Sequence, residues 1–145
     1  MANDVSTLAT TTTRPKPVHS SAKAPVMTQG RRDFFTYRDL GVREGSNGTM
    51  RAQLMTAITG MTEPTGWHDH VCDGQFVYAL KGWVERACET GELLCLQAGE
   101  SRFIPGDMRH YELRTSDELE ILEVSVPAEM GTVPCDRPAG LPSHP

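Results

Sequence analysis

From about residue 33 to residue 126 the chain never keeps a helical hydrophobic period for more than three turns. It reads instead as short runs, "MRAQLMTAI", "QFVYAL", "WVERAC", "ELLCL", "SRFIP", "HYELR" and "LEILEVSV", with turn residues between them. Runs of this length, bounded by Gly, Pro, Asp and Ser, read as strands, and a string of them predicts an all-β sandwich or barrel. A chain of 145 residues has room for one such core and not comfortably for two. Ordered structure is expected to begin near "DFFTYRDLGV", where Phe34, Phe35 and Tyr37 supply the first aromatic mass. The preceding residues are rich in Thr, Ser, Ala and Pro, with no apolar periodicity to form a core face. The expected organisation is a disordered leader over 1–32, dispensable to about residue 30, a barrel over 33–130, and an irregular Pro-rich tail over 131–145.

The formal net charge is −5, unevenly spread. Residues 1–32 carry Arg14, Lys16, Lys23, Arg31 and Arg32 against Asp4 alone, which leaves nine basic and eighteen acidic residues in the remainder. An acidic body argues against a nucleic-acid partner. No apolar stretch is long enough for a membrane span, and no secretory signal is evident, so no membrane partner is expected and the localisation expected is cytoplasmic. Cys72, Cys88, Cys95 and Cys135 form no C-x-x-C pair and are expected to remain reduced, mostly as buried thiols. Cys72 stands apart only because it follows His70 by two residues.

In "QFVYAL", Phe76, Tyr78 and Leu80 alternate with Gln75, Val77 and Ala79, so both faces of the strand are largely apolar. One face lines the barrel interior; the other needs an N-terminal strand or a second subunit, and a homodimer through this sheet is the expectation.

The candidate site lies in "GWHDHVCDGQF", residues 66 to 76. His68 and His70, at i and i+2 of a strand, project from one face, with Asp69 on the other. His110 opens the run "HYELR", and Gln75 begins the strand after the Asp73-Gly74 turn. Three imidazoles make a facial set of nitrogen ligands for a first-row metal, and an amide oxygen adds a weaker fourth. Glu112 shares the face of His110 and is the candidate catalytic residue, as proton acceptor or partner of an imidazole N–H. Arg51 and Gln53 share a face and could hold a substrate carboxylate. Trp67, Met55, Phe103 and Tyr111 read as core more than as pocket, and His19 and His144 fall in the leader and the tail.

These residues resemble the cupin superfamily. Its first motif, roughly G-x5-H-x-H-x3,4-E-x6-G, is matched by "HDHVCDGQFVYALKG" at His68, His70 and Gly82. Its second, roughly G-x5-P-x-G-x2-H-x3-N, is matched by "GESRFIPGDMRHYELR" at Gly99, Pro105 and His110. The resemblance spans about residues 48 to 126 and implies a cupin double-stranded β-helix, a jelly-roll barrel, with a divalent metal: Fe2+ first, with Zn2+, Mn2+, Ni2+ or Cu2+ as alternatives. Gln75 stands where the family usually has a glutamate ligand, Gly60 and Gly66 flank the place of the first-motif glycine, and Asp107 and Arg114 replace the second-motif Gly and Asn. Four neutral ligands leave the ion its full charge and favour chelation of a small anionic substrate. The function expected is a non-haem Fe(II) dioxygenase acting on a small anionic, dicarbonyl or aromatic substrate, with a metal-dependent isomerase or lyase, or a non-catalytic ligand-binding sensor, as alternatives.

Overall fold

The structure is a computed structural model and describes residues 14–141. Eleven strands and one four-residue helix make up the described chain. In chain order they are β1 (Val26–Thr28), β2 (Phe35–Asp39), α1 (Val42–Gly45), β3 (Arg51–Ala57), β4 (His68–Val71), β5 (Gly74–Lys81) and β6 (Trp83–Cys88). There follow β7 (Leu93–Gln97), β8 (Ser101–Pro105), β9 (His110–Thr115), β10 (Glu120–Val126) and β11 (Gly131–Pro134). Two antiparallel sheets face each other, one ordered β1-β2-β3-β10-β5-β8 and the other β11-β4-β9-β6-β7. The all-β jelly-roll expectation holds. Each apolar run named above became a strand, because residues of period two bury one face between two sheets.

The inward positions change character along each strand. On β5 and β10, Val77, Ala79 and Ile121 belong to a buried apolar cluster with Ala57, Val84, Leu96 and Leu119. At the other end of the same pair, Gln75 lies opposite Ser125, and Glu123 comes one inward step before it. All three are buried, at 3%, 0% and 7% exposure respectively, so the barrel is apolar at one end and polar at the other. The outer face of β5 carries Phe76 and Leu80, and β8 sets Phe103 beside Phe76; all three are exposed.

Order does not begin at residue 33, nor does the tail past 130 stay irregular. Residues 1–13 and 142–145 lie outside the described residues, so His144 and the start of the leader are not placed. Val26–Thr28 pairs antiparallel with β2, opposite Tyr37–Asp39. Gly131–Pro134 pairs with β4, placing Thr132 opposite His70 and Pro134 opposite His68. Both are outermost strands, where one side makes no ladder and a proline at the end is tolerated. Short, exposed edges of this kind need little apolar patterning. Gly30 also packs against Tyr37: a Cβ there would fall about 1.8 Å from the ring. A variant starting at residue 33, without β1 and Gly30, should therefore lose at least roughly 5 °C of melting temperature by calorimetry. An unchanged melt would restore the expectation that this segment is dispensable.

Candidate metal centre

His68 and His70 project inward from β4, and His110 opens β9 directly opposite His68. All three are buried, at 4%, 6% and 2% exposure, and one ligand nitrogen from each lies within 4.8 Å of the others. The backbone fixes which nitrogen faces the centre. His68 Nδ1 lies 2.8 Å from the carbonyl of Gly66, and His110 Nδ1 lies 2.9 Å from that of Met108. A carbonyl only accepts, so both Nδ1 atoms carry the proton and both Nε2 lone pairs are left for a metal. Gly66 offers its carbonyl from a left-handed turn, φ +83°, that glycine adopts without strain. Asp107, in the place of the family's glycine, takes the same region at φ +65°, where Asp is tolerated better than most side chains.

His70 Nδ1 pairs with the Thr132 hydroxyl at 3.0 Å, and the same hydroxyl accepts from Arg31 Nη1 at 2.8 Å. Its two lone pairs suffice for both donors. Burial, followed by the neighbouring His110 and His68, pushes the pKa of His70 down to about 3, and burial likewise lowers that of His110. Neutral imidazoles are what a metal requires.

Two of the expected ligands carry orphaned atoms. Among the described residues, His110 Nε2 and Gln75 Oε1 are both buried without a hydrogen-bond partner. Buried polar atoms are seldom left so, and a metal ion takes both kinds of donor. Gln75 is oriented by Glu123: its Nε2 donates to Glu123 Oε2 at 2.7 Å, which frees the carbonyl oxygen. Glu123 also accepts from Gln53 at 2.9 Å and from Arg51 at 3.3 Å. Arg51 and Gln53 do share a face, as expected, but their contacts go to this carboxylate. The negative charge missing from Gln75 thus stands one hydrogen bond behind it.

Glu112 lines the same cavity. Its Oε2 accepts from Thr65 Oγ1 at 3.0 Å and lies 3.8 Å from His68 Nε2, while Oε1 lies 3.8 Å from Arg86 Nη2. Burial pushes this carboxyl up; Arg86, His110, His68 and the Thr65 hydroxyl together outweigh it and hold the pKa at about 2. The cavity is about 270 Å³ and includes His68, His70 and Gln75 in its wall. Four arginines, Arg31, Arg32, Arg51 and Arg86, face two glutamates, Glu112 and Glu123, so its lining is net positive inside an acidic protein. Met55 lines it too. Phe103 is 62% exposed, and Trp67 and Tyr111 stack on each other at 4.6 Å. Cys72 is outside the histidine cluster, and burial raises its thiol pKa, with Asp73 and Asp107 adding to the effect. Arg86, Glu123, Thr65 and Thr132 were not singled out from the sequence. Glu123 and Arg86 had a signal: each alternates with apolar inward residues, where a charge needs a partner.

No protein-family model matches the sequence, and no curated protein matches it significantly. Solved structures do match. KdgF from a Halomonas species aligns with 77% of this chain and 96% of its own, with a TM-score of 0.61 and 15% identity. An RmlC-like cupin from Shewanella frigidimarina aligns with 80% of this chain and 96% of its own, with a TM-score of 0.58 and 17% identity. The fold is that of a cupin. The Fe(II) form of HppE shares it over 75% of this chain and 60% of its own, with a TM-score of 0.56 and 14% identity. Among the described residues, no helix is long and apolar enough to cross a membrane.

The depressed pKa of His70 gives an acid dependence. Between about 6.5 and 3 the unfolded chain takes up a proton that the folded one refuses, so metal-free protein is fully stable above about pH 6.5 and weakens below it. At pH 5 the loss relative to pH 7.5 should be about 2 kcal/mol from this residue, readable in urea melts. A flat profile over that range would contradict the lowered value.

Proposed function

We propose that this cupin is a mononuclear metal-dependent enzyme for a small anionic substrate, and that it works as an Fe(II) dioxygenase. What carries this reading is the convergence of three buried imidazoles, with His68, His70 and Gln75, whose amide oxygen is unpartnered among the described residues, in the wall of an arginine-lined cavity. His68, His70 and His110 would hold the ion, with Gln75 as an adjustable fourth ligand. Iron, when bound, supplies a Lewis acid and a one-electron donor toward dioxygen. The remaining work falls to the chain. Arg31 and Arg32, at the cavity wall, draw an anion inward. Glu112, anionic at neutral pH and steadied by Thr65, would take a proton only from a strongly acidified group, such as a substrate atom bound to the metal beside His68. The fold likeness to the Fe(II) form of HppE supports iron.

The position of Glu112 also favours a second reading, a metal-dependent isomerase or lyase in which this carboxylate moves a proton without oxygen. Metal analysis and an oxygen electrode separate the two. Iron in the purified protein, with oxygen uptake that depends on an added 2-oxo acid, enediol or catechol and is absent in His110→Ala, is the result expected. Zinc or nickel, with substrate conversion and no oxygen uptake, would establish the second reading instead. We also propose that the exposed outer face carrying Phe76, Leu80 and Phe103 is covered by a second copy of the chain; a monomer at micromolar concentration in sedimentation would overturn this.

A further inference from the structure

Arg86 is the feature that the metal centre leaves unexplained. It is 7% exposed, and among the described residues neither Nε nor Nη1 has a hydrogen-bond partner. Its third nitrogen, Nη2, lies 3.8 Å from Glu112 Oε1, too far for a hydrogen bond. A buried guanidinium with its donors unmet is rare, because removing this charge from water is costly unless its hydrogen bonds are made elsewhere. The placement is specific. The β6–β9 register shifts between Glu85 and Arg86, which brings Arg86 opposite Glu112, and irregularities of this kind re-aim side chains beside functional sites. Two of the other cavity arginines differ: Arg31 donates to Thr132 and Arg51 to Glu123.

We propose that Arg86 anchors a carboxylate at the far end of the substrate, so that the ligand is a short two-ended acid: oxygen donors for the metal at one end, a carboxylate at the other. This rests on the chelating site proposed above. Glu112 reaches toward both groups, His68 Nε2 with one oxygen and Arg86 Nη2 with the other, so the two subsites lie within a few atoms of each other. The cavity wall also includes Val84, Leu119, Ile121 and Met55, which suits an apolar stem. A planar guanidinium matches a carboxylate edge to edge. A tetrahedral phosphate dianion would call for several converging cations, whereas Arg86, with Glu112 beside it, offers a single fork.

The test uses full-length protein loaded with Zn(II), which has no redox chemistry with oxygen, and isothermal titration with two matched pairs. Malate is compared with 2-hydroxybutyrate, and 2-hydroxyglutarate with 2-hydroxyvalerate; each pair shares the chelating end and differs in carboxylate against methyl. At least one diacid should bind about 10- to 100-fold more tightly than its methyl counterpart. In Arg86→Met, with zinc content and melting temperature retained, that preference should vanish while the methyl-ended acids bind as before. Arg86→Lys, which keeps the charge and loses the fork, should retain only part of it; should the Met variant not fold, the Lys variant and the wild-type pairs decide. Equal binding within both pairs, no binding of any acid, or a preference that survives Arg86→Met would overturn the proposal. The chelating reading is tested separately. If removing zinc leaves the methyl-ended acids binding unchanged, that reading fails, whether or not the preference for diacids depends on Arg86.

Discussion

His110→Ala should leave the protein without its metal. The His110 ring is 2% exposed, its Nδ1 proton is committed to the Met108 carbonyl, and its Nε2 is a buried orphan aimed at the other two imidazoles. Removing it deletes one of three strong nitrogen donors and leaves the coordination sphere incomplete. Partners of ligands commonly change metal affinity by 10- to 100-fold, so loss of a ligand itself should weaken binding by at least about 100-fold. His68→Ala and His70→Ala should behave alike, whereas Thr132→Val should fall in the lower range, since it only frees the His70 ring. Metal stoichiometry after gel filtration, with circular dichroism to confirm the β-barrel, reads the series. Full occupancy in any of the three alanine variants would remove that residue from the centre.

The second large effect concerns Gln75. A glutamate here restores the usual cupin ligand, and the sequence alone suggests tighter metal binding. The structure adds an obstacle: Gln75 Nε2 donates to Glu123 at 2.7 Å, so a carboxylate in its place meets another carboxylate at hydrogen-bond distance. Two such groups cannot both ionise and must share a proton. Gln75→Glu should therefore destabilise metal-free protein by about 3 kcal/mol at neutral pH, with recovery on acidification. Exchanging the pair, Gln75→Glu with Glu123→Gln, puts the donor on the other side and should recover most of that loss. Denaturant melts of the two singles and the double form a mutant cycle. Additive effects would mean that the two side chains do not act as a unit. The same exchange moves the negative charge from behind the ligand onto it, so it also tests whether metal affinity depends on where that charge sits.

What the sequence made legible was local. Alternation gave the inner strands, and the i, i+2 spacing of His68 and His70 placed two imidazoles on one face because strand geometry allows nothing else. That His110 meets them follows from the order of the motifs. The readings that needed correction depend on long-range pairing. Arg51 and Gln53 were placed on one face correctly, but their partner lies on β10, about 70 residues later, and nothing near them announces it. Val26–Thr28 and Gly131–Pro134 carry too little apolar pattern to register as strands, since their order comes from the ladder of a neighbouring strand. Arg86 sits in a run that reads as ordinary strand, and its meaning appears only with the count of donors left unmet.

The hydrogen bond from Arg31 to Thr132 joins residues 101 apart in sequence, and Thr132 in turn holds His70. Contacts of such separation form late in folding, since the chain must first order what lies between. The ligand ring around His70 is thus among the last parts of the protein to be completed. A nascent or partly folded chain would present His68 and His70 on a strand still lacking its partners β9 and β11, and tight metal capture should follow their docking. In refolding experiments the rise of metal affinity should lag behind the rise of β-structure, making the bound ion a reporter of the final step in assembly.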